Sequence, residues 1–327
     1  MMKSYLRYEP SHSFGVICSP ASNITYDFSG NLLLTSAVEE VIVWNARQAN
    51  KVCSLQASTS NYPYSLPGEV TCIERSNDKS SVASGYSTGE IRIFNYLTRS
   101  VLATLRGHRS GISCLSYDTD TTSSLLASGG KDSDIYIWDM VSYAGLFKLR
   151  GHKDVVTAVK FLAISTTQRY LISVSKDTLL KVWDLATQHC VQTIVGHRSE
   201  IWTMGMHIYS HASATEPTHL IITGASDSLL RGYVVKGSSI AEGDVPQAQN
   251  GEENEILEYI GSLEREFGFD KCTGVSFNAA GTVLVAQSSG KNIEVMIRPQ
   301  SYHATYEINC IEFRYIQCAM LAYQIKR

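Results

Sequence analysis

Three observations in this chain of 327 residues predict an all-β fold, a β-propeller assembled from four-stranded blades. Gly-His pairs stand at Gly107-His108, Gly151-His152 and Gly196-His197, so the histidines are 44 and 45 residues apart. Trp138 and Trp183 keep the same interval of 45. Between each Gly-His and its aromatic residue lie runs such as LLASGGKDSDIYIWD and LISVSKDTLLKVWD, which alternate apolar and polar residues and are broken by Gly, Ser and Asp. Side chains on a strand point to opposite faces in turn, so this alternation marks strands with one covered face, and its recurrence marks repeated blades.

Along the chain, FGVICS at 14–19 has no strand partner of its own. The runs NITYDF, LLLTSA, EVIVWN and KVCSLQ predict blade one (20–57), and VTCIERS, SSVASGY, EIRIFNY and SVLATLRG predict blade two (68–107), with Phe94 in place of tryptophan. Blades three (108–151) and four (152–196) carry the full pattern. Blade five (197–267) places Tyr233 in the aromatic slot and holds an acidic, aperiodic stretch at 237–258, expected as a surface insertion. CTGVSFN, TVLVAQ and NIEVMI predict blade six (268–303), and the tail at 304–327 has the look of part of a seventh. Seven blades are therefore expected, the last closed by the N-terminal strand, which would hide sheet edges that otherwise invite aggregation.

Composition bounds the function. With 44% hydrophobic and 18% charged residues and 7 prolines, the chain can bury a sizeable core. Its formal charge of −3, from 28 basic and 31 acidic side chains, excludes a bulk positive field, so any nucleic-acid contact must be local. The eight cysteines (Cys18, Cys53, Cys72, Cys114, Cys190, Cys272, Cys310, Cys318) show no C-x-x-C pair and are expected as reduced core thiols. The opening MMKSYLRYEPSHSF lacks the apolar run of a signal peptide, and no apolar stretch reaches the roughly 18 residues that span a bilayer, so a cytosolic or nuclear place is expected.

The set His108, Ser128, Asp132 and Trp138 recurs as His152, Ser173, Asp177 and Trp183, and with substitutions as His197, Thr223, Asp227 and Tyr233. Ser, His and Asp together suggest a hydrolytic triad. A triad occurs once, beside a pocket, whereas this set occurs three times in one register. It is expected as a buried polar network in which histidine bonds the turn aspartate and the hydroxyl, and the hydroxyl bonds the indole N–H. Blades one and two lack the full set, with Val38 and Thr88 near the aspartate position, and are expected to be less rigid.

One feature exceeds this structural account. Arg109, Lys153 and Arg198 follow the three Gly-His pairs, and Lys131 and Lys176 precede two of the turn aspartates. Equivalent loops emerge on one face, so these five cations form a candidate binding face for phosphates or an acidic peptide. Trp202 is a candidate anchor or a packing residue. His207, His211 and His219 lack zinc-ligand spacing and are expected in solvent, and no metal or cofactor is implied.

The Gly-His, Ser-Gly, Asp and Trp-Asp pattern resembles the WD-repeat family, whose members are propellers that assemble complexes. More finely, KSYLRY followed by FGVI, SGYSTGEIRIF, SGGKDSDIYIWD, GLFKLRGHKD, WDLATQHCVQTIVGHRSEIW and ITGASDSLLR look like the first propeller of the tandem-propeller subunit of UTP-B, a subcomplex of the small-subunit processome. The resemblance spans residues 3 to 231. It implies a non-catalytic scaffold in the nucleus and nucleolus, acting in pre-rRNA processing and 18S rRNA maturation. Its implied partners are other UTP-B and processome proteins, with pre-rRNA or small nucleolar RNA at a local basic face, and neither membrane nor small-molecule substrate. The basic helical insertion that this family carries after blade six is absent around Pro299 to Ala304, and a fragment of a longer protein is expected. A competing reading is a peptide-recognition adaptor, either a ubiquitin-ligase receptor or a histone-tail reader. WDMV and WDLA lack the Arg or Lys two residues past Trp-Asp that ligase adaptors tend to carry, and only WNAR at Trp44 approaches it.

Overall fold

The computed structural model describes residues 17–20, 22–48, 50–56, 68–78, 80–118, 124–164, 168–209, 218–235, 255–266, 270–290, 292–297 and 314–315. Their strands form six four-stranded antiparallel sheets, each ordered along the chain. They fall into two compact units, Met1–Arg106 and Gly107–Arg327.

The first unit holds two sheets. One comprises β1 (Ile24–Tyr26), β2 (Leu32–Ala37), β3 (Glu40–Asn45) and β4 (Asn50–Leu55); the other β5 (Val70–Arg75), β6 (Ser81–Tyr86), β7 (Glu90–Asn95) and β8 (Ser100–Arg106). Leu34, Val41, Val43 and Leu55 of the first pack with Val70, Ile73, Val82 and Phe94 of the second in one buried cluster. Each such side chain contributes roughly 1.5–3 kcal/mol on leaving water, so this cluster holds the two sheets together.

The second unit holds four sheets. They comprise β9 (Ile112–Tyr117), β10 (Leu125–Gly130), β11 (Ile135–Asp139) and β12 (Ala144–Leu149); β13 (Val156–Ala163), β14 (Arg169–Ser175), β15 (Leu180–Asp184) and β16 (His189–Ile194); β17 (Ile201–Tyr209), β18 (Thr218–Ala225), β19 (Leu229–Val235) and β20 (Leu257–Glu264); and β21 (Cys272–Phe277), β22 (Val283–Ser288), β23 (Ile293–Ile297) and β24 (Arg314–Tyr315). The central strands are buried on both faces: Leu171, Ile172 and Val174 of β14 are all 0% exposed. Outer strands such as β16 are mostly exposed.

Local chemistry sets the hairpins. In sheets one to four the residue after the aromatic is Asn or Asp, and its carboxamide or carboxylate oxygen accepts N–H groups of the next turn: Asn95 from Leu97 and Thr98, Asp139 from Val141, Asp184 from Ala186. Such Asx turns stabilise the tight third hairpin, where Arg99, Tyr143 and Gln188 adopt positive φ. The ladder shifts register at each aromatic, between Ile137 and Trp138 and between Val182 and Trp183, so a bulge twists the outer strand at a recurring place.

Two expectations are corrected. The described residues form six blades, not seven, and the tail supplies the sixth with its outer strand: Arg314 and Tyr315 pair with Ile297 and Met296. A strand edge left unpaired exposes its N–H and C=O groups, and β24 covers that edge of β23. The closing run at 14–19 lies outside the described residues up to 16. Its remainder bonds the first sheet: Ser19 N–H donates to the Ser36 carbonyl, and the Ile17 carbonyl accepts from Thr35 Oγ1 at 2.6 Å. The stretch 237–254 of the insertion also lies outside the described residues, whereas Leu257 is buried as the first residue of β20 and Glu258 follows it there.

Candidate functional site

In sheets three and four the three polar residues and the indole form one chain of bonds. His108 Nδ1 lies 2.9 Å from Asp132 Oδ1, its Nε2 lies 2.9 Å from Ser128 Oγ, and Trp138 Nε1 donates to the same oxygen at 2.8 Å. The second copy has His152 Nδ1 at 2.8 Å from Asp177, His152 Nε2 at 2.8 Å from Ser173, and Trp183 Nε1 at 2.8 Å from Ser173. The carboxylate only accepts, so Nδ1 carries the ring proton. The serine hydroxyl then donates to Nε2 and accepts from the indole. Each polar proton along the chain has an acceptor.

The backbone around it fits closely. Gly130 stands where any Cβ would collide with Asp132 and His108, which explains the second glycine of SGG. Burial pushes the His108 pKa down, against the pull of Asp132. Burial alone would raise the Asp177 pKa, but bonds from His152 and the Lys153 N–H bring it to about 2. Ser128 and Ser173 are 0% exposed, so neither hydroxyl can meet a substrate.

Sheet five departs from the pattern. His197 does not touch Asp227; Arg231 stands between them, 2.6 Å from His197 Nδ1 and 2.8 Å from Asp227 Oδ2. A guanidinium only donates, so His197 Nδ1 accepts and its proton sits on Nε2, donated to Thr223 Oγ1 at 2.7 Å. Thr223 passes its own proton to the Arg231 carbonyl at 3.3 Å. The polarity of the network is reversed relative to sheets three and four, and burial with the adjacent Arg231 charge lowers the His197 pKa to about 4. Tyr233 is buried, and burial raises its pKa to about 12.

Sequence reading missed Arg231 because its register position holds Tyr136 in sheet three and Lys181 in sheet four, facing Ser128 and Ser173. That variability carried no polar requirement. The other sheets replace the network with different chemistry. In sheet one Trp44 Nε1 donates to Thr35 Oγ1 at 3.0 Å, and the Ile17 carbonyl takes the place of histidine. In sheet two Ser84 donates to the Arg92 carbonyl, and the Arg92 guanidinium lies 4.5 Å from the Tyr86 ring centre. In sheet six the buried Arg265 and Glu294 lie 3.6 Å apart.

The five cations all lie in the second unit, at one end of its sheets. In an ordered four-stranded antiparallel sheet, the start of strand one and the turn between strands two and three share an end. A recurring backbone bond joins them here: Lys131 N–H to Gly111 O, Lys176 N–H to Val155 O, Ser226 N–H to Glu200 O and Ser289 N–H to Lys271 O. Arg109, Lys131, Lys153 and Arg198 are exposed, and Lys176 is half-buried. Arg109 and Lys153 give their backbone N–H groups to Asp132 and Asp177, at 2.9 and 3.0 Å. The networks therefore use the backbone at these positions and leave the cationic side chains to solvent.

Trp202 stands half-buried at the same end. Its Nε1 donates to Ser226 Oγ at 2.8 Å, and the ammonium groups of Lys176 and Lys271 lie 3.9 and 4.3 Å from its ring centre. Lys271 was not singled out in the sequence. His219 proves buried, against the expectation of solvent, and His207 is half-buried against Tyr209 and Phe277; His211 lies outside the described residues. Among the described residues no group of three or more His, Cys, Asp or Glu could hold a metal ion. Cys53, Cys72, Cys114 and Cys272 are buried, Cys18 is half-buried, but Cys190 is exposed on the outer strand β16, so it is no core thiol; Cys310 and Cys318 lie outside the described residues.

Comparison with known proteins decides the family. The profile of the WDR3 first β-propeller domain matches residues 31–235, more than half of the chain. The chain belongs to the WDR3 first β-propeller family. Its fold is that of an all-β WD-repeat propeller. Among curated relatives, U3 small nucleolar RNA-associated protein 12 of Saccharomyces cerevisiae is 39% identical over 218 residues, 63% of this chain and 22% of the relative. Human WD repeat-containing protein 3 is 38% identical over 101 residues, 30% of this chain and 10% of the relative. A weaker likeness, 37% over 134 residues, links it to nuclear distribution protein nudF of Emericella nidulans, of which it covers 30%. The chain thus spans less than a third of the length of each.

Proposed function

We propose that this WD-repeat chain is a non-catalytic scaffold subunit of the small-subunit processome, within its UTP-B subcomplex, acting in pre-rRNA processing and 18S rRNA maturation in the nucleolus. The observation that carries this reading is the match of the WDR3 first-propeller family across residues 31–235, with a yeast relative whose name ties it to U3 small nucleolar RNA. The site is in keeping with it. Its Ser, His and Asp groups are consumed in tying loops to strands, while the cationic side chains of Arg109, Lys131, Lys153 and Arg198 project from the same loops. Rigid strands that present loop-borne charges suit docking.

The test is affinity capture of the tagged chain from its native cells at moderate salt, with mass spectrometry of the proteins and sequencing of the RNA. Recovery of UTP-B proteins with pre-ribosomal RNA is the expected result. Recovery of ubiquitin-ligase or chromatin components in their place overturns the reading in favour of a peptide-recognition adaptor. Reversing Arg109, Lys153 and Arg198 to Glu is expected to weaken capture without moving the melting temperature; unchanged capture removes the basic face from the function.

A further inference from the structure

The second residue of strand one follows one rule in four of the six sheets. Thr71, Ser113, Thr157 and Thr273 occupy this position in sheets two, three, four and six, and each hydroxyl donates to a carbonyl of strand two: Gly85 at 3.1 Å, Gly129 at 3.0 Å, Val174 at 3.2 Å and Gln287 at 3.3 Å. The position lies at a shift of ladder register in sheets two, four, five and six, where the unpaired residue is free to point out of the strand. Sheet five has Trp202 there. The fold is served by a small hydroxyl residue, so the indole is an addition that the blade does not need.

Its surroundings are equally specific. Lys176 reaches the ring from the β14–β15 turn of sheet four, and Lys271 reaches it from the residue before β21 of sheet six, so three successive sheets converge on one indole. Ser226 fixes the ring by its N–H. Two ammonium groups held 3.9 and 4.3 Å from the centre of one ring repel each other, and an anion that bridges them relieves that repulsion. A protein hot spot would surround the indole with apolar side chains that exclude water, whereas the partners of this ring are cations.

We propose that Trp202, Lys176 and Lys271 form a binding site for single-stranded RNA, in which the two ammonium groups take a backbone phosphate and the indole they uncover stacks a base. A nucleotide supplies both an anion and a π face, whereas an acidic peptide supplies carboxylates alone. The site rests on the proposed function only in its choice of RNA as the polyanion. Arg198 and Lys153, exposed at the same end, continue the cationic track along which a strand would run.

The experiment uses the full chain and a fluorescein-labelled single-stranded oligouridylate, read by anisotropy and by quenching of tryptophan fluorescence. Trp44, Trp138 and Trp183 are buried, so quenching reports Trp202. Saturable binding with quenching is expected, with a loss of about tenfold in affinity for Trp202→Ala. Lys176→Gln and Lys271→Gln are each expected to reduce the slope of log affinity against log salt by about 1. Trp202→Phe, which keeps a stacking face at the same half-buried place, is expected to keep the binding and lose the quenching. Absence of binding overturns the proposal, as does equal affinity for the Trp202→Ala chain, or polyglutamate that binds and quenches as well as the RNA. The two readings fail separately: a Trp202→Ala chain that still captures processome proteins while losing oligouridylate leaves both standing, and a wild-type chain that binds oligouridylate but captures no processome protein sinks only the assignment of the particle.

Discussion

Replacing Arg231 by methionine is expected to destabilise the protein at neutral pH and to flatten part of its acid sensitivity. The guanidinium bridges His197 and Asp227 at 2.6 and 2.8 Å with a side chain 11% exposed. Bonds of this charge-assisted kind contribute about 1.5–3 kcal/mol each, and methionine fills much of the space, so a net loss of about 2 kcal/mol is expected at neutral pH. The pH term follows from His197, whose folded pKa is about 4 against an ordinary value of about 6.5. Above the ordinary value neither state holds the proton. As pH falls below it, the unfolded chain takes up a proton that the folded chain refuses, and the loss of stability saturates near pH 4 at about 3 kcal/mol. Without Arg231 the ring proton moves to Nδ1 and meets Asp227, as in sheets three and four. Burial, the larger cause of the shift, remains, so the histidine term shrinks by only about 1 kcal/mol. Urea unfolding of both proteins from neutral pH down to about pH 4, where the two folded pKa values separate the histidine terms, measures this. The two stability curves are expected to converge as pH falls; curves that stay parallel or diverge refute the reversed network.

Nitrogen-resolved imidazole spectra are expected to place the ring proton of His108 and His152 on Nδ1 and that of His197 on Nε2; one tautomer in all three contradicts the Arg231 geometry. Ser173→Ala leaves His152 Nε2 and the Trp183 N–H buried without partners and is expected to cost roughly 2–4 kcal/mol in chemical unfolding, whereas Val195→Ser, at a position 76% exposed, changes stability by less than about 0.5. Asp177, at about 2 in the folded state, contributes stability that is complete above its ordinary carboxylate pKa and is lost as pH falls through 2. Asp177→Asn is expected to remove about 2 kcal/mol of that acid-dependent part in acid titrations. Cys190 is expected to react with a maleimide in the native protein, while Cys114 and Cys272, buried with pKa values raised to about 12 and about 11, react only on unfolding.

The sequence announced the blades because their causes are local. Alternation selects strands, Asp139 and Asp184 cap the turns after their tryptophans, and the histidine spacing repeats the unit. The partners of His108 and His152 were legible for the same reason, since the same four residue types recur in register. Arg231, the Ile17 carbonyl and the Arg265–Glu294 pair were not legible. Each solves the problem of tying a loop to a strand with groups outside the repeating set, and a backbone carbonyl leaves no trace in composition. The seventh blade was miscounted because β24 is two residues long and is reached from β23 only after a long interval, so nearness in sequence gave no clue to its pairing. Lys271 escaped notice because its partner Trp202 belongs to the preceding sheet.

The hydroxyls of strand one have a second role beyond their own sheets. Thr157 Oγ1 also lies 2.9 Å from the Ile201 carbonyl of the next sheet, and Ser113 likewise meets the Val156 carbonyl. These contacts supply the nearest-neighbour coupling of a linear array, in which cooperativity is a property of the joints and not of the units. Sheet five gives up that hydroxyl for Trp202 and meets sheet six through Thr203 Oγ1, which accepts from Val275 N–H at 3.2 Å. A chain carrying Thr157→Val would keep every tetrad intact, yet its sheets would melt with less regard for one another, broadening the transition more than lowering its midpoint.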